Sequence, residues 1–400
     1  MGTPSDRRSF LIIITVFSLV TILAYTTTLF ARGYRLSFQN GSPNLKITGL
    51  LSVTSRPKSA SVYVNNRLIT ATDDTLNLAP GDYQVKIIKD GYLPWEKTIK
   101  IKQEIVFQTD AELFRSAPDL KPITITGAIN PQSNPDGNLI VYSVASASAT
   151  TDNGLYLIQT IDGPLTLNRN LPKKIAPNYP TIDWSKFQFT FSPDSKSILA
   201  SNSTTNISFL LPLDSPITSR HLIDVTPSLD SISEQWVRQN QELVQVKIDK
   251  IPAAIRPFVA TDSASNILFS SDDTKVLYLT KTNGQIPDHL FASPPAQSTQ
   301  TQYRYLEATN YYVYDLRDDT NFRIGQSTNR PSWLPNSHNL IFARDQAIQT
   351  IEYDATNPTT LYAGSFSDHL IIPWADGNRL VTLISPYPGA PYNLYSISIR

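Results

Sequence analysis

One pattern recurs through residues 120–400 and restricts the fold of this part of the chain more than any other feature. Each copy has an aromatic or apolar residue, a turn rich in Pro, Asp, Asn, Ser or Gly, and then residues that favour β-strands. From Asp136 to Asp376 the turns of successive copies lie 48 residues apart on average. Units of four strands have a period of about 40–50 residues. The six copies are NPDGNLIVY (134–142), FSPDSKSILA (191–200), WVRQNQELVQV (236–246), FSSDDTKVLYL (269–279), WLPNSHNLIFA (333–343) and PWADGNRLVTL (373–383).

The repeat predicts a β-propeller over residues 120–400, because radial repetition of four-stranded meanders leaves only short, protected sheet edges. Six copies indicate about six blades, with seven as the alternative, and Ile123–Thr126 is a candidate strand for closing the last blade. The copy that contains Ser192-Pro-Asp194 resembles the TolB-like and WD40-like propeller repeat, whose turn is typically Ser-Pro-Asp-Gly. This resemblance implies a propeller fold for the same residues.

One of the six copies admits a second interpretation. Ser231-Ile-Ser-Glu234 has the spacing of a capping box, which predicts a helix running through Val244. However, Trp236 aligns with Trp333 of a later copy, and this register favours a strand. We therefore expect residues 236–246 to belong to a blade.

Residues Phe10–Ala31 form an apolar run without a charged side chain. As a helix with a rise of 1.5 Å per residue, a run of this length crosses a hydrocarbon core of about 30 Å. It is longer than the core of a cleaved signal peptide and its exit lacks a small-x-small site, so we predict an uncleaved signal anchor rather than a cleaved signal or a buried core helix. Residues 1–9 are then a cytoplasmic tail and residues 32–44 a linker, with the remaining chain outside the cell membrane, because long domains translocate largely regardless of charge.

Residues 45–115 alternate apolar and polar side chains with a period of two, which is typical of half-buried strands. Turn residues such as Asn65-Asn66 and Pro80-Gly81 separate these strands, so we expect antiparallel hairpins in a small β-sandwich. Tyr92 and Trp95 should lie over one edge, as a stacking platform for a sugar or, in the favoured interpretation, as a cover for the core. The expected inward-facing residues are Val62, Val64, Tyr83, Val85, Ile87, Ile99 and Ile101.

Four motifs in this module carry a family resemblance. They are Ser52-Val-x-Ser55-x-Pro57, Ala60-x-Val62-Tyr63-Val64-Asn65, Leu78-Ala-Pro80-Gly81-x-Tyr83-x-Val85 and Lys89-x-Gly91-Tyr92-x-Pro94-Trp95. In this order they resemble the PEGA domain family, a small extracytoplasmic β-module. The chain departs from the family at Leu68–Asp74, where Gly-x-Thr-Pro is usual, and at Ala79–Asp82, which replaces Pro-Glu-Gly-Ala. The resemblance implies an envelope-facing module associated with surface layers or polysaccharide binding.

Residue types that carry catalytic or metal chemistry are sparse. The chain has no cysteine and only four histidines, and its 34 basic residues balance its 34 acidic residues. This composition excludes thiolate chemistry and an overall basic field for nucleic acid. The sequence also lacks a Gly-x-Ser-x-Gly elbow and a phosphate loop, so we predict no catalytic residue, no cofactor and no metal. Surface turns explain the remaining candidate groups better than active sites or calcium loops: Asp368-His369, Asp73-Asp74, Asp272-Asp273 and Asp318-Asp319.

A tyrosine-rich stretch is the other candidate for recognition. Tyr303, Tyr305, Tyr311 and Tyr312 accompany Arg304, a composition that favours protein or sugar contacts when it is exposed. A cross-strand tyrosine ladder that packs between blades explains the same residues, and we favour that interpretation.

Together these features predict a membrane-anchored, extracytoplasmic binding or scaffold protein of the cell envelope. Phe10–Ala31 would lie in the lipid bilayer, and the propeller would engage an envelope protein or a polysaccharide. Two alternatives remain open at this point: a propeller enzyme of glycoside hydrolase or lyase type that acts on envelope polysaccharide, and a surface-layer module with a purely structural role.

Overall fold

The computed structural model describes residues 4–31, 34–39, 42–145, 150–161, 171–214, 217–218, 222–292, 294, 298–367 and 370–400. The chain divides into two compact units. Unit 1 comprises Met1–Leu113 and Ser293–Gln300, and unit 2 comprises Phe114–Ala292 and Thr301–Arg400.

Unit 1 begins with helix α1, Pro4–Ala31. Its apolar part, Phe10–Ala31, is long and apolar enough to cross a membrane, and none of it is buried inside the protein. Five threonine hydroxyls in this part each donate a hydrogen bond of 2.7–2.9 Å to the carbonyl four residues earlier. The helix therefore satisfies these polar groups internally, as a segment in hydrocarbon must.

The residues after α1 differ from the expected linker. Strands β1 (Tyr34–Gln39) and β2 (Ser42–Ile47) pair as an antiparallel hairpin within residues 32–44 and just beyond. Leu36 and Phe38 alternate with polar residues in β1, and this period-two pattern favours a strand. The segment is too short for the pattern to be distinguished from a linker in the sequence alone.

The β-sandwich that follows has two sheets, in the orders β5-β4-β7-β8 and β6-β3-β9. Asn65 and Asn66 both have positive φ in the β4–β5 turn, as expected for a two-residue hairpin. The sheets are antiparallel except for β3 and β9, the first and last strands of the sandwich, which pair in parallel. The strands are β3 (Gly49–Arg56), β4 (Ser61–Val64), β5 (Arg67–Ala71), β6 (Asp74–Leu78), β7 (Gly81–Ile88), β8 (Trp95–Ile101) and β9 (Val106–Glu112).

The core of the sandwich contains the expected inward-facing residues. Six of them are buried, and the seventh, Tyr83, packs against the same core while remaining partly exposed. Residues Ser298–Gln300 also belong to this unit: the Gln300 side chain donates to the Thr98 carbonyl at 2.8 Å, and the Lys100 amide donates to the Thr299 hydroxyl at 3.3 Å. These contacts lie along the outer edge of β8, which is an edge strand.

Within the residues that the structure describes, unit 2 contains five four-stranded antiparallel sheets, which we call blades 1 to 5. Blade 1 is β11–β14 and blade 2 is β15–β18, blade 3 combines β19, β20, β23 and β24, blade 4 is β25–β28, and blade 5 combines β29–β31 with β10. The strands are β10 (Asp119–Pro122), β11 (Ile129–Ser133), β12 (Leu139–Val144), β13 (Gly154–Gln159), β14 (Lys173–Pro177), β15 (Gln188–Phe191), β16 (Ser197–Asn202), β17 (Ile207–Pro212), β18 (Ile223–Asp224), β19 (Ala264–Phe269), β20 (Lys275–Thr280), β21 (Gly284–Gln285), β22 (Tyr305–Leu306), β23 (Asn310–Asp315), β24 (Thr320–Gln326), β25 (Ser332–Trp333), β26 (Asn339–Arg344), β27 (Ala347–Glu352), β28 (Thr359–Ala363), β29 (Ile371–Pro373), β30 (Arg379–Ile384) and β31 (Asn393–Ser398).

Four pairs of neighbouring blades pack face to face through buried apolar side chains. Separate hydrophobic clusters join blades 1 and 2, blades 3 and 4, blades 4 and 5, and blades 5 and 1. In the last of these, Tyr142 of blade 1 packs with Trp374 and Val381 of blade 5. This packing confirms the mostly-β propeller architecture. The blade number of six or seven is not confirmed, since the described residues contain five such sheets.

Blade 5 is completed by the two ends of unit 2. Strand β10 pairs with β31, from Asp119 opposite Ser398 to Pro122 opposite Tyr395. The sequence predicts the closing strand at Ile123–Thr126. In the structure the closing strand is β10, which lies immediately before that segment. Ile123 still donates a backbone hydrogen bond of 2.8 Å to the carbonyl of Leu394, so the error is a short displacement along the chain.

The strand expected at residues 236–246 is wrong, and the alternative helical interpretation is correct. Helix α2 extends over Leu229–Asp249, followed by the short α3, Arg256–Val259. The sequence of α2 contains no Gly or Pro to form a hairpin turn. Its apolar residues instead recur with helical spacing, and this spacing overrides the resemblance between the two tryptophan-containing copies. The remaining short helical turns are of 3-10 type, at Thr150–Asp152, Trp184–Lys186, Thr226–Ser228 and Ser327–Asn329.

Candidate binding surfaces

Tyr92 and Trp95 form part of the sandwich core. Trp95 begins β8 and is only 3% exposed, within the cluster that contains Val85 and Ile87. Tyr92 is half-buried against the same cluster. Because a sugar needs an open ring face for stacking, the burial of Trp95 corrects the idea of an exposed platform and agrees with the favoured interpretation as a core cover.

The tyrosine-rich stretch is divided between the interior and the surface. Tyr303 and Tyr305 are 44% and 55% exposed, whereas Tyr311 and Tyr312 in β23 are buried. Tyr312 stacks on Tyr278 of the neighbouring strand, with ring centroids 5.9 Å apart. Tyr311 belongs to the cluster between blades 3 and 4. The four tyrosines therefore do not form one exposed patch, and the buried pair fits the tyrosine-ladder interpretation.

Arg304 lies between the exposed tyrosines and is neutralised inside the protein. Its guanidinium lies 2.9 Å from a carboxylate oxygen of Asp319, which also accepts hydrogen bonds from the Tyr314 hydroxyl and the Leu290 amide. Burial alone lowers the pKa of Arg304, but the bonds to Asp319 outweigh it and raise the pKa overall. Burial also raises the pKa of Tyr314, so this hydroxyl stays protonated. Arg304 is therefore a structural partner of Asp319 rather than a free surface cation.

A second polar cluster is buried between blades 3 and 4. The ammonium of Lys275 lies 3.8 Å from Asp315 and 4.8 Å from the centre of the Tyr353 ring. His338 lies 3.3 Å from the carboxylate of Glu352. Burial, followed by the nearby carboxylates, raises the pKa of Tyr353 well above its usual value. In the part of the chain that the structure describes, no group of three or more His, Asp or Glu residues is arranged to hold a metal ion.

Of the candidate acidic pairs, Asp272-Asp273 acts as a turn pair, whereas Asp318 and Asp319 lie in a turn but are buried instead of exposed. Asp272 accepts hydrogen bonds from the Ser270 hydroxyl at 2.6 Å and from the Thr274 amide at 3.1 Å. Although partial burial raises its pKa, these bonds outweigh it and lower the pKa of Asp272 to about 2. Its neighbour Asp273 forms an ion pair of 2.7 Å with Lys247. Asp368-His369 lies outside the described residues.

An apolar cleft is the surface that the sequence analysis missed. It has a volume of about 430 Å³ and lies between the entry to blade 1 and the outer loop of blade 5. The loop tyrosine Tyr392 is half-exposed at its rim, and Tyr387 and Ile125 are further exposed apolar side chains on the segments that border it. The cleft is lined by Gly127, Ala128, Ile129, Ser367, Leu383, Pro391 and Tyr392.

Only part of the cleft carries a signal in the sequence. The loop Tyr387–Tyr392 has a tyrosine next to a proline at each end, and exposed aromatic residues in a proline-rich loop are a common feature of binding surfaces. Ser367 and Leu383 come from blade 5 and the loop before it, whereas residues 127–129 belong to a segment far away along the chain. The closure of blade 5 by β10 brings the two segments together, and the repeat pattern alone does not give this register.

The comparisons with known proteins identify the β-sandwich. A family model described as the PEGA domain matches residues 48–116. Residues 48–116 are a PEGA domain. This confirms the resemblance drawn from the motifs and places the buried Trp95 within that domain. No curated protein matches the chain.

Solved structures similar to the chain include TolB from Acinetobacter baumannii, which is 14% identical with a TM-score of 0.21, over 79% of this chain and 60% of that chain. A putative TolB from Agrobacterium tumefaciens is 12% identical with a TM-score of 0.18, over 76% and 89% of the two chains. The acylaminoacyl peptidase of Pyrococcus horikoshii is 12% identical with a TM-score of 0.19, and this chain covers 36% of it. TM-scores this low leave the propeller assignment to rest on the five sheets of the chain itself.

Proposed function

We propose that this protein is a membrane-anchored, extracytoplasmic scaffold that binds an envelope protein, rather than an enzyme. Helix α1 holds it in the bilayer with residues 1–9 in the cytoplasm, and the PEGA domain and the propeller lie outside. The cleft between blades 1 and 5 accepts an apolar side chain of the partner.

The exposure of the apolar part of α1 is the observation that carries the proposal. None of it is buried inside the protein, and large side chains along it are exposed: Phe17, for example, is 74% exposed. Burial of apolar surface contributes about 25 cal/mol per Å², so a run of this length is strongly stabilised by transfer into hydrocarbon. A PEGA domain next in the chain fits an envelope location, since the family is extracytoplasmic.

The chemistry of the cleft favours a protein over a glycan. Sugars are recognised by several hydrogen-bonding groups beside an aromatic face, because their hydroxyls must be satisfied when they leave water. This cleft has apolar walls, including Ile129 and Leu383, with the hydroxyls of Ser367 and Tyr392 as its side-chain polar groups. An apolar pocket with few polar groups fits an aliphatic or aromatic side chain presented by a protein segment.

A photocrosslinking amino acid at Tyr392, in the full chain in its native membrane, tests the binding role. We expect a discrete protein adduct that disappears when Ser367→Phe fills the cleft. Ser365→Phe is the matched control, because Ser365 is exposed and does not line the cleft. An adduct unaffected by Ser367→Phe, or no adduct at all, contradicts the proposed use of the cleft.

The orientation is tested separately by labelling. Because the chain has no cysteine, Ser365→Cys supplies a single reactive thiol on the propeller. A membrane-impermeant maleimide should modify it in intact cells. Labelling that requires lysis of the cells contradicts the extracytoplasmic placement.

A further inference from the structure

Helix α2 is an amphipathic helix inserted between blades 2 and 3. Its 21 residues extend about 32 Å at 1.5 Å per residue. At 3.6 residues per turn its apolar side chains spread over about 200° of the circumference, an apolar side that Ser233, Asn240 and Lys247 interrupt. The apolar side chains include a series with coiled-coil spacing, Leu229, Ile232, Trp236, Leu243 and Val246, in which Gln239 occupies the remaining seam position.

The C-terminal part of this apolar side is uncovered, whereas Leu229, Ile232 and Trp236 near the N-terminal end are half-buried. Ile248, near the C-terminal end, is the one buried residue of α2. Leu243 and Val246 are 57% and 60% exposed, and Val237 and Val244 beside them are exposed as well. A helix of a globular protein normally turns such a stripe towards its own core, so an open stripe indicates an interaction surface.

Both ends of α2 are fixed to the propeller. At the N-terminal end, Val225 and Thr226 form hydrogen bonds of 2.9 Å to the backbone of Ser208 in blade 2. At the C-terminal end, Ile248 packs in the cluster that includes α3 and blade 3, and Lys247 pairs with Asp273. A partner would therefore meet a preformed helix and would not have to pay for its ordering.

The charges beside the apolar side of α2 favour some binding partners over others. Asp230 and Glu234 lie along one margin and Glu242 along the other, as the helical period places them. Arg238 lies near the middle of the polar side and pairs with Glu234 at 3.6 Å. Lys247 is engaged by Asp273 at 2.7 Å. Both margins are therefore acidic, so a second copy would set acid against acid, and anionic lipid headgroups would be repelled.

We propose that the apolar side of α2 is a docking site for an amphipathic helix of another protein, one whose apolar stripe is flanked by Lys or Arg. The two helices would pack as a short coiled coil over Leu243 and Val246, with the basic flanks of the partner beside Asp230 and Glu242. This site is separate from the cleft and does not depend on the function proposed for it.

A pair of synthetic peptides tests the proposal. Each has four heptads with Leu at positions a and d; one has Lys at e and g, the other Glu. Like charges keep each peptide from pairing with itself. Binding to the full chain in nanodiscs of zwitterionic lipid is followed by fluorescence anisotropy, with empty nanodiscs subtracted. We expect the Lys peptide to bind at least about tenfold more tightly than the Glu peptide, as charge complementarity requires.

Substitutions on α2 locate the site. Val246→Glu should weaken binding of the Lys peptide by at least about tenfold, because it places a charge in the apolar seam. The matched control Gln245→Glu adds the same charge on the polar side and should leave binding unchanged or slightly tighter. Exchange of both margins, Asp230→Lys with Glu242→Lys, should reverse the preference between the peptides.

Circular dichroism and the membrane content of each variant verify that it folds. Equal binding of the two peptides, or equal effects of Val246→Glu and Gln245→Glu, would overturn the proposal. Self-association of the chain that Val246→Glu abolishes would assign the surface to a second copy instead. Binding to phosphatidylglycerol vesicles by a chain lacking residues 1–31, if lost in Val246→Glu, would assign it to lipid.

Discussion

Helices α1 and α2 both expose apolar side chains, but they differ in how those side chains are distributed. The span Phe10–Ala31 of α1 is apolar on every side, and its threonine hydroxyls bond to its own backbone. Helix α2 gathers its apolar residues on one side and carries acids along both margins of that side. The first distribution fits a solvent that surrounds the helix, whereas the second fits one partner on one side. Exposure alone therefore does not identify what covers a surface, and the polar residues around it do.

The largest expected effect is on α1. Leu19→Arg places a charge in the middle of the span, at a cost of about 2.5–3.5 kcal/mol for membrane insertion. We expect a large part of the protein to leave the membrane fraction on carbonate extraction and sedimentation. The control Thr21→Leu replaces an internally bonded hydroxyl and should be retained like the parent chain. Equal retention of Leu19→Arg would mean that the helix is not surrounded by lipid.

The next prediction concerns the free energy of unfolding, and it distinguishes the packed C-terminal end of α2 from its exposed face. Ile248→Ala removes a side chain that is only 8% exposed from a packed cluster, and should lower the free energy of unfolding by about 2–4 kcal/mol. Val246→Ala truncates a side chain that is 60% exposed and should change it by less than about 0.5 kcal/mol. Urea denaturation of the full chain in detergent measures both. Similar losses in the two variants would show that Val246 is packed and that the face is not open.

The smallest effect concerns the turn that holds the C-terminal end of α2. The pKa of Asp272 is lowered from 3.8 to about 2, so its ionised form stabilises the folded state. This contribution is fully present above pH 4 and is lost as the pH falls towards 2, because the unfolded chain takes up the proton first. Allowing for solvent screening of a partly exposed group, we expect about 1 kcal/mol. Asp272→Asn should lose this stability at neutral pH and flatten the acid dependence; an unchanged dependence contradicts the assignment.

Much of the fold follows from the sequence because the period of alternation is a local property. The strands around Val62, Val85 and Ile99 bury the side chains that their alternation indicates. The turn copies near Asp194 and Asp272 do form blade turns, since the carboxylate bonds to nearby hydroxyl and amide groups. In such segments a few neighbouring residues determine the conformation, and no distant contact is needed to predict it.

The errors arise where the conformation is determined by distant contacts, or by a helical period that competes with a strand repeat. Residues 236–246 can be aligned with a strand repeat, but the full length of α2 is needed to see the helical period. For Trp95 the sequence favours a core cover but leaves an exposed platform open, and only the packing of the sandwich distinguishes the two. The cleft combines Ala128 with Leu383 and Tyr392, residues that come together only once the last blade is closed. Sequence reasoning identified the modules but not the surfaces that they create.

The closure of blade 5 also has a consequence for biosynthesis. Strand β10 is made early and waits for β31, which is completed only at Ser398. A ribosome must therefore extend the chain through β31 before the final sheet can assemble, and a product that terminates before β31 is left with a solitary early strand. Such an open edge is readily recognised by proteases and chaperones. The completion of blade 5 is thus coupled to translation through Ser398.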